Sequence, residues 1–202
     1  MKVEEIVSFY SAFAETYDSE VFTLGDYVAF RKVPMWIVDE LRKPAKILDL
    51  GCGTGLSSLS FFQQGWEVTG VDLTPAMIEK AKKLPFAALH CQNLESPLPF
   101  SDQTFDAVQL LGVMEFIQNP SGLFSEIARL INPDGLFGLT IPHKLTPAQE
   151  AIVGIHSYTS EEVEPFFAEA RFVVIKQEQF PGFLCKGEEV TYTGYLLASP
   201  KR

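Results

Sequence analysis

Three glycines at alternate positions, Gly51, Gly53 and Gly55, follow the apolar run Ile47-Leu48-Asp49-Leu50. A turn of this build bends sharply and lets a ligand reach main-chain atoms with no Cβ in the way. The next apolar segment, Glu67-Val68-Thr69-Gly70-Val71, ends in Asp72. At the end of a parallel strand an acid meets a ribose diol, and two hydroxyls on one carboxylate make charge-assisted hydrogen bonds. The pair predicts a site for an adenosine-type ligand across the carboxyl ends of these strands. Two absences narrow the ligand. The dinucleotide fingerprint G-x-G-x-x-G places its third glycine where Leu56 stands, which disfavours a nicotinamide oxidoreductase. The Gly-Lys-Ser/Thr of phosphate loops does not occur.

Other residues offer weaker chemistry. His90 falls in an expected strand. His143 and His156 flank the unpatterned stretch 142–158, and with Glu115 they are the candidates for a general base near neutral pH. Glu115 reads first as a helix-start acid. No spacing among the histidines suggests a metal site. Cys52, Cys91 and Cys185 are far apart with no C-x-x-C, so reduced thiols are expected rather than a zinc site or a disulfide framework.

These groups need a frame. Ile6, Tyr10, Phe13 and Tyr17 recur at helical spacing and predict an amphipathic helix over 3–17. A second helix is expected from Asp26 to Leu41, with Pro34 as a kink or break. Strands follow at 46–50, 67–72, 86–91, 105–111 and 136–141. Helices alternate with them at 55–64, at 74–84 with Thr74 as cap, and from Asn119-Pro120 onward. Thr159-Ser160-Glu161-Glu162 is a capping box that opens a further helix. Strands at 172–178 and 190–198 close the chain, with only a loop between them.

This alternation implies right-handed crossovers and an α/β, Rossmann-like, doubly wound sheet. Seven strands are expected, mostly parallel, the last antiparallel. Residues 1–43 are expected as an N-terminal helical cap and 44–202 as one domain. Hydrophobic residues make up 47% of the 202, enough for a full core. The net charge of −10 and the lack of a Lys/Arg cluster argue against nucleic acid and anionic membrane as partners. The N-terminus is acidic without an apolar signal core, and no apolar run is long enough to span a bilayer. A cytoplasmic protein, monomer or homodimer, is the expectation.

The motif G-x-G-x-G after a strand bearing Asp49 resembles the cofactor motif of class I S-adenosylmethionine-dependent methyltransferases. The resemblance runs from about residue 45 to 142. Val71-Asp72-Leu73-Thr74-Pro75-Ala76-Met77-Ile78 is similar to the family's second motif, and Asn93-Leu94-Glu95 with Leu98-Pro99-Phe100 to its third, at the adenine edge. Phe105-Asp106 and Leu111-Gly112-Val113-Met114-Glu115 resemble the fourth strand and its exit. Glu126, Arg129, Leu130 and Pro133 to Gly135 resemble the helix and turn that follow. The pattern is most similar to small methyltransferases of the ubiquinone/menaquinone-biosynthesis-like group, including ones associated with TPR repeats.

The resemblance implies S-adenosylmethionine as cofactor. It implies binding by Gly51, Cys52, Gly53, Gly55, Asp72, Leu73, Met77, Asn93, Leu94 and Leu111, with Tyr17 closing over it. Leu94 reads equally as core, and Tyr10 and Tyr17 as packing. Four residues depart from the pattern. Asn93 stands for a frequent acid and Phe116 for a frequent histidine. Asp134 and Arg171 replace turn glycines.

The acceptor is expected to be a small molecule. No Asn/Asp-Pro-Pro-aromatic follows the fourth strand and no Pro-Cys occurs, which argues against nucleic-acid bases. A non-catalytic S-adenosylmethionine-binding or regulatory protein is the alternative, with a protein or RNA methyltransferase further behind. The acceptor pocket is expected from the N-terminal helices, the 112–118 exit and the 142–158 loop.

Overall fold

The computed structural model describes residues 1–23, 28–41, 44–185 and 188–200. Seven strands form one sheet: β1 (Lys46–Leu50), β2 (Glu67–Asp72), β3 (Ala88–Cys91), β4 (Phe105–Leu110), β5 (Ile131–Pro142), β6 (Val173–Cys185) and β7 (Glu188–Ala198). Their order across the sheet is β3-β2-β1-β4-β5-β7-β6. β3, β2, β1, β4 and β5 pair in parallel, and β7 is antiparallel to both of its neighbours. The last strand is thus antiparallel as expected, and it inserts between β5 and β6. The strand order reverses between β1 and β4. At such a switch point a crevice opens outside the carboxyl ends of the strands.

Eight α-helices are described: α1 (Val3–Phe13), α2 (Tyr17–Thr23), α3 (Ala29–Leu41), α4 (Leu59–Gln63), α5 (Pro75–Ala81), α6 (Pro120–Leu130), α7 (Pro147–Val153) and α8 (Ser160–Glu169). Leu123, Phe124, Ile127 and Leu130 of α6 join Val163 and Phe167 of α8 in a core with Leu48, Val108, Phe137 and Leu197. Phe30, Val33, Trp36 and Ile37 of α3 join Phe61 of α4 in a second core with Ile47, Val68, Ala107 and Leu196. Adjacent residues Ile47 and Leu48 fall in different cores, as the two-residue period of a strand requires. A Cβ on Gly138 would lie 2.9 Å from Val33 and Ile37 side-chain atoms, so glycine there lets α3 settle close on the sheet.

Several expectations need correction. The first helix is two, α1 and α2, separated by a turn in which Thr16 N–H donates to Phe13 C=O. Edge-on contacts of Tyr17 with Tyr10 and Phe13 accompany that bend. α3 runs through Pro34 without ending. A proline inside a helix costs about 3 kcal/mol, and burial of Phe30, Val33, Trp36 and Ile37 offsets it. The start of that helix at Asp26 lies outside the described residues, as does the Cys185 side chain.

The expected helix 55–64 is a 3₁₀ turn at Leu56–Ser58 followed by the short α4. Ser57 and Ser58 hydroxyls donate to Asp49 there. Thr74 makes no side-chain cap at α5, although Pro75 takes the first helical position. The stretch 142–158 contains α7, opened by Thr146 and Gln149 as a capping box.

Candidate cofactor and acceptor site

The strand ends converge on a cavity of about 450 Å³. Four segments build its floor. They are the β1 turn (Gly51, Gly53), the β2 exit (Asp72, Leu73, Thr74), the β3 exit (Asn93, Leu94, Glu95) and the β4 exit (Leu111 to Val113). Met77 of α5 also lines it. Above lie Met1 to Glu4, Ile6 and Tyr10 from the first helix region, with Tyr17 from α2.

Asp72 is the electrostatic centre. It is 9% exposed, yet both oxygens are held. Oδ2 accepts the Gly53 N–H at 2.8 Å and Oδ1 accepts the Thr74 N–H at 2.7 Å. Burial raises its pKa, while the Thr74 and Gly53 N–H groups pull the other way. A carboxylate has about four acceptor sites, so capacity remains for a diol. Tyr17 lines the same cavity, and burial followed by the nearby Asp72 charge pushes its phenol well above the usual range.

The three turn glycines divide their work. Each has a left-handed backbone, with φ of 71°, 54° and 92° at Gly51, Gly53 and Gly55. A Cβ on Gly51 would lie 2.2 Å from Val113 Cγ2, and one on Gly55 would lie 2.7 Å from Leu84 and Phe86. A Cβ on Gly53 would meet nothing within 4 Å. So Gly53 is open to a ligand, whereas Gly51 and Gly55 also serve close packing. Gly55 and Cys52 do not line the cavity, contrary to expectation. Cys52 is buried with its thiol pushed up by burial, so it carries no thiolate.

Asp49 lies beneath the turn, fully buried. It accepts from Ser58 Oγ at 2.7 Å and Ser57 Oγ at 3.1 Å, and burial raises its pKa to about 6. Gln109 Nε2 donates to Ser57 Oγ at 3.1 Å and extends the network. Asn93 lines the cavity, and its Oδ1 accepts the Glu95 N–H at 2.9 Å. Its side-chain amide keeps two N–H donors for a ring nitrogen. Leu94 is 7% exposed, belongs to the α6 core and also lines the cavity.

None of the three base candidates lines the cavity among the described residues. Glu115 is 3% exposed. Its Oε1 accepts the Tyr192 hydroxyl at 2.6 Å, its Oε2 is buried without a partner, and burial raises its pKa to about 7. His143 Nε2 hydrogen-bonds Thr193 Oγ1, and burial lowers its pKa. His156 is exposed, with Nε2 3.0 Å from the Gln118 side-chain nitrogen. The stretch 142–158 supplies no lining residue. Ile6, Tyr10, Val113, Phe116 and Ile117 make an apolar end instead, where Tyr10 meets Phe116 edge-on at 5.9 Å. The 112–118 exit was expected there. Ile6 was predicted only as a position on the first helix, and Lys2 and Glu4 gave no sequence signal.

No group of three or more His, Cys, Asp or Glu placed to hold a metal occurs among the described residues. No helix among them is long and apolar enough to cross a membrane.

Residues 48–139 match the family described as "Methyltransferase domain". A ubiquinone biosynthesis O-methyltransferase of Xylella fastidiosa (strain 9a5c) is 31% identical over 135 residues, covering 64% of this chain and 52% of that protein. A demethylmenaquinone methyltransferase of Streptomyces avermitilis is 34% identical over 137 residues, covering 65% and 57%. The chain thus spans about half the length of the curated relatives it matches. A solved structure is that of Burkholderia thailandensis 1,6-didemethyltoxoflavin-N1-methyltransferase with bound 1,6-didemethyltoxoflavin and S-adenosylhomocysteine. It superposes with a TM-score of 0.71 at 21% identity, covering 100% of this chain and 92% of that one. At that identity the likeness speaks for the fold.

Proposed function

We propose that this chain, whose residues 48–139 match a methyltransferase domain, transfers a methyl group from S-adenosylmethionine to a small-molecule acceptor. One observation carries the reading. Asp72 is fixed by the Gly53 and Thr74 N–H groups in a cavity onto which Gly53 opens with no neighbour where a Cβ would stand. That is a carboxylate for a ribose beside a cradle for the rest of the cofactor. The activities of the relatives, a ubiquinone biosynthesis O-methyltransferase and a demethylmenaquinone methyltransferase, support the same class.

When bound, the cofactor supplies an activated sulfonium methyl, and the protein supplies alignment and a dry pocket. Orientation alone is worth on the order of 7–11 kcal/mol in favourable cases. Asp72, Asn93 and Leu94 would hold the adenosine, and Gly51 and Gly53 the methionine portion. Tyr10, Val113, Phe116 and Ile117 then enclose an apolar acceptor end on the far side. Glu115 does not line the cavity and is bonded to Tyr192, so it is not placed to take a proton there. An acceptor whose nucleophile is reactive at neutral pH, such as an amine or an acidic phenol, suits this end.

The test is transfer of label from methyl-labelled S-adenosylmethionine to a panel of small phenols, quinols and aromatic amines. Incorporation into at least one, abolished by Asp72→Ala, supports the reading. Binding of the cofactor with no incorporation into any supports a non-catalytic binding protein instead.

A further inference from the structure

We infer that Glu95 is a positioning residue that couples the adenosine end of the cavity to its acceptor end. The inference rests on the methyltransferase reading above and adds a residue to it. Glu95 lines the cavity one residue after Leu94. Its backbone N–H donates to Asn93 Oδ1 at 2.9 Å. Its Oε1 accepts two backbone N–H groups from the far side of the site, Gln118 at 2.9 Å and Asn119 at 2.7 Å. Gln118 lines the cavity beside Ile117, and Asn119 caps α6 by accepting the Gly122 N–H at 3.1 Å.

A continuous path of hydrogen bonds therefore runs from the Asn93 side chain through Glu95 to Gln118. A carboxylate holding two N–H groups at a helix N-terminus is charge-assisted and further favoured by the helix dipole. The far end of the same loop is anchored separately. Glu126 Oε1 accepts the Leu98 N–H at 3.0 Å, and Arg129 donates to Phe100 C=O at 2.8 Å. With that end fixed, movement of Asn93 toward a bound adenine is passed through Glu95 to the 117–119 segment.

The experiment measures S-adenosylhomocysteine binding by calorimetry together with amide hydrogen exchange at Gln118 and Asn119. It uses the wild type, Glu95→Ala and Glu95→Gln. The expected result is that S-adenosylhomocysteine slows exchange at both amides in the wild type. Glu95→Ala should abolish this slowing and weaken binding about tenfold, and Glu95→Gln should restore part of both. A Glu95 that only staples the fold would change basal exchange and leave the ligand-induced slowing intact, and that result overturns the inference. So does unchanged affinity in Glu95→Ala. If Glu95→Ala does not fold, the comparison is made with Glu95→Gln, where an undiminished ligand response is the overturning result. Failure of the wild type to bind S-adenosylhomocysteine would sink the methyltransferase reading itself and this inference with it.

Discussion

Asp72 Oδ2 accepts the Gly53 backbone N–H at 2.8 Å across a separation of nineteen residues. The acid on the second strand thereby fixes the turn after the first. The two groups expected to touch the two ends of one ligand also define each other's geometry. Removing Asp72 should loosen the glycine turn as well as the ribose contact.

The three turn glycines should separate stability from binding. Gly51→Ala and Gly55→Ala each combine a left-handed backbone with a packing conflict, and should cost about 2–4 kcal/mol. At this chain length that is a fall in Tm of roughly 5–15 °C. Gly53→Ala has the backbone cost alone, about 1 kcal/mol, but places a methyl in the cradle. It should lose at least about tenfold in S-adenosylhomocysteine affinity while its Tm falls by only a few degrees. Thermal melts and calorimetry on the three variants check this. A Gly53→Ala protein that binds normally would contradict it.

Asp134 and Arg171 stand where the family pattern has glycine, and both have a left-handed backbone, φ 61° and φ 60°. Arg171 follows the last turn of α8, where its N–H donates to Ala168 C=O and Phe172 N–H donates to Phe167 C=O. That closure calls for glycine. Arg171→Gly should stabilise by about 1 kcal/mol and raise Tm by about 2–4 °C. Asp134→Gly should gain less, since Asp tolerates this region. Melts that show a loss in Arg171→Gly would count against the reading of strain.

Two buried acids make stability depend on pH. Burial raises Asp49 to about 6 and Glu115 to about 7. An acid with a raised folded-state pKa binds its proton more tightly when folded. Its stabilisation is full below the ordinary carboxylate range, near pH 4, and is lost as pH rises through the folded value. Glu115→Gln removes one such term. Relative to the wild type, the variant should gain on the order of 3 kcal/mol between pH 4.5 and pH 8. Denaturant titrations at both pH values check this, and a difference that does not change with pH would contradict it.

The part of the cavity around Asp72 was legible because its pattern is local. A glycine turn, an acid at the next strand end and Asn93-Leu94 each announce themselves within a few residues. The apolar end was less so. Tyr10 and Phe116 meet across more than a hundred positions, and only the strand order brings them together. Glu115 shows why residue type misleads. The sequence presents a carboxylate beside the site, but it is buried and bonded to Tyr192 on the last strand, and it does not line the cavity. The break between α1 and α2 was hidden for a similar reason. Helical spacing continues through Tyr17, and the turn at Ala14 to Thr16 leaves no glycine or proline as a sign. In the 55–64 segment the bonds of Ser57 and Ser58 to Asp49 are tertiary contacts that local spacing does not announce.

The most direct measurement is a calorimetric titration of S-adenosylhomocysteine into the wild type and into Asp72→Ala. The account predicts one site per chain in the wild type. It predicts a loss of at least about thirtyfold in the variant, from the ribose contact and the released Gly53 and Thr74 N–H groups together. No binding by the wild type, or equal affinity in the two proteins, would contradict it.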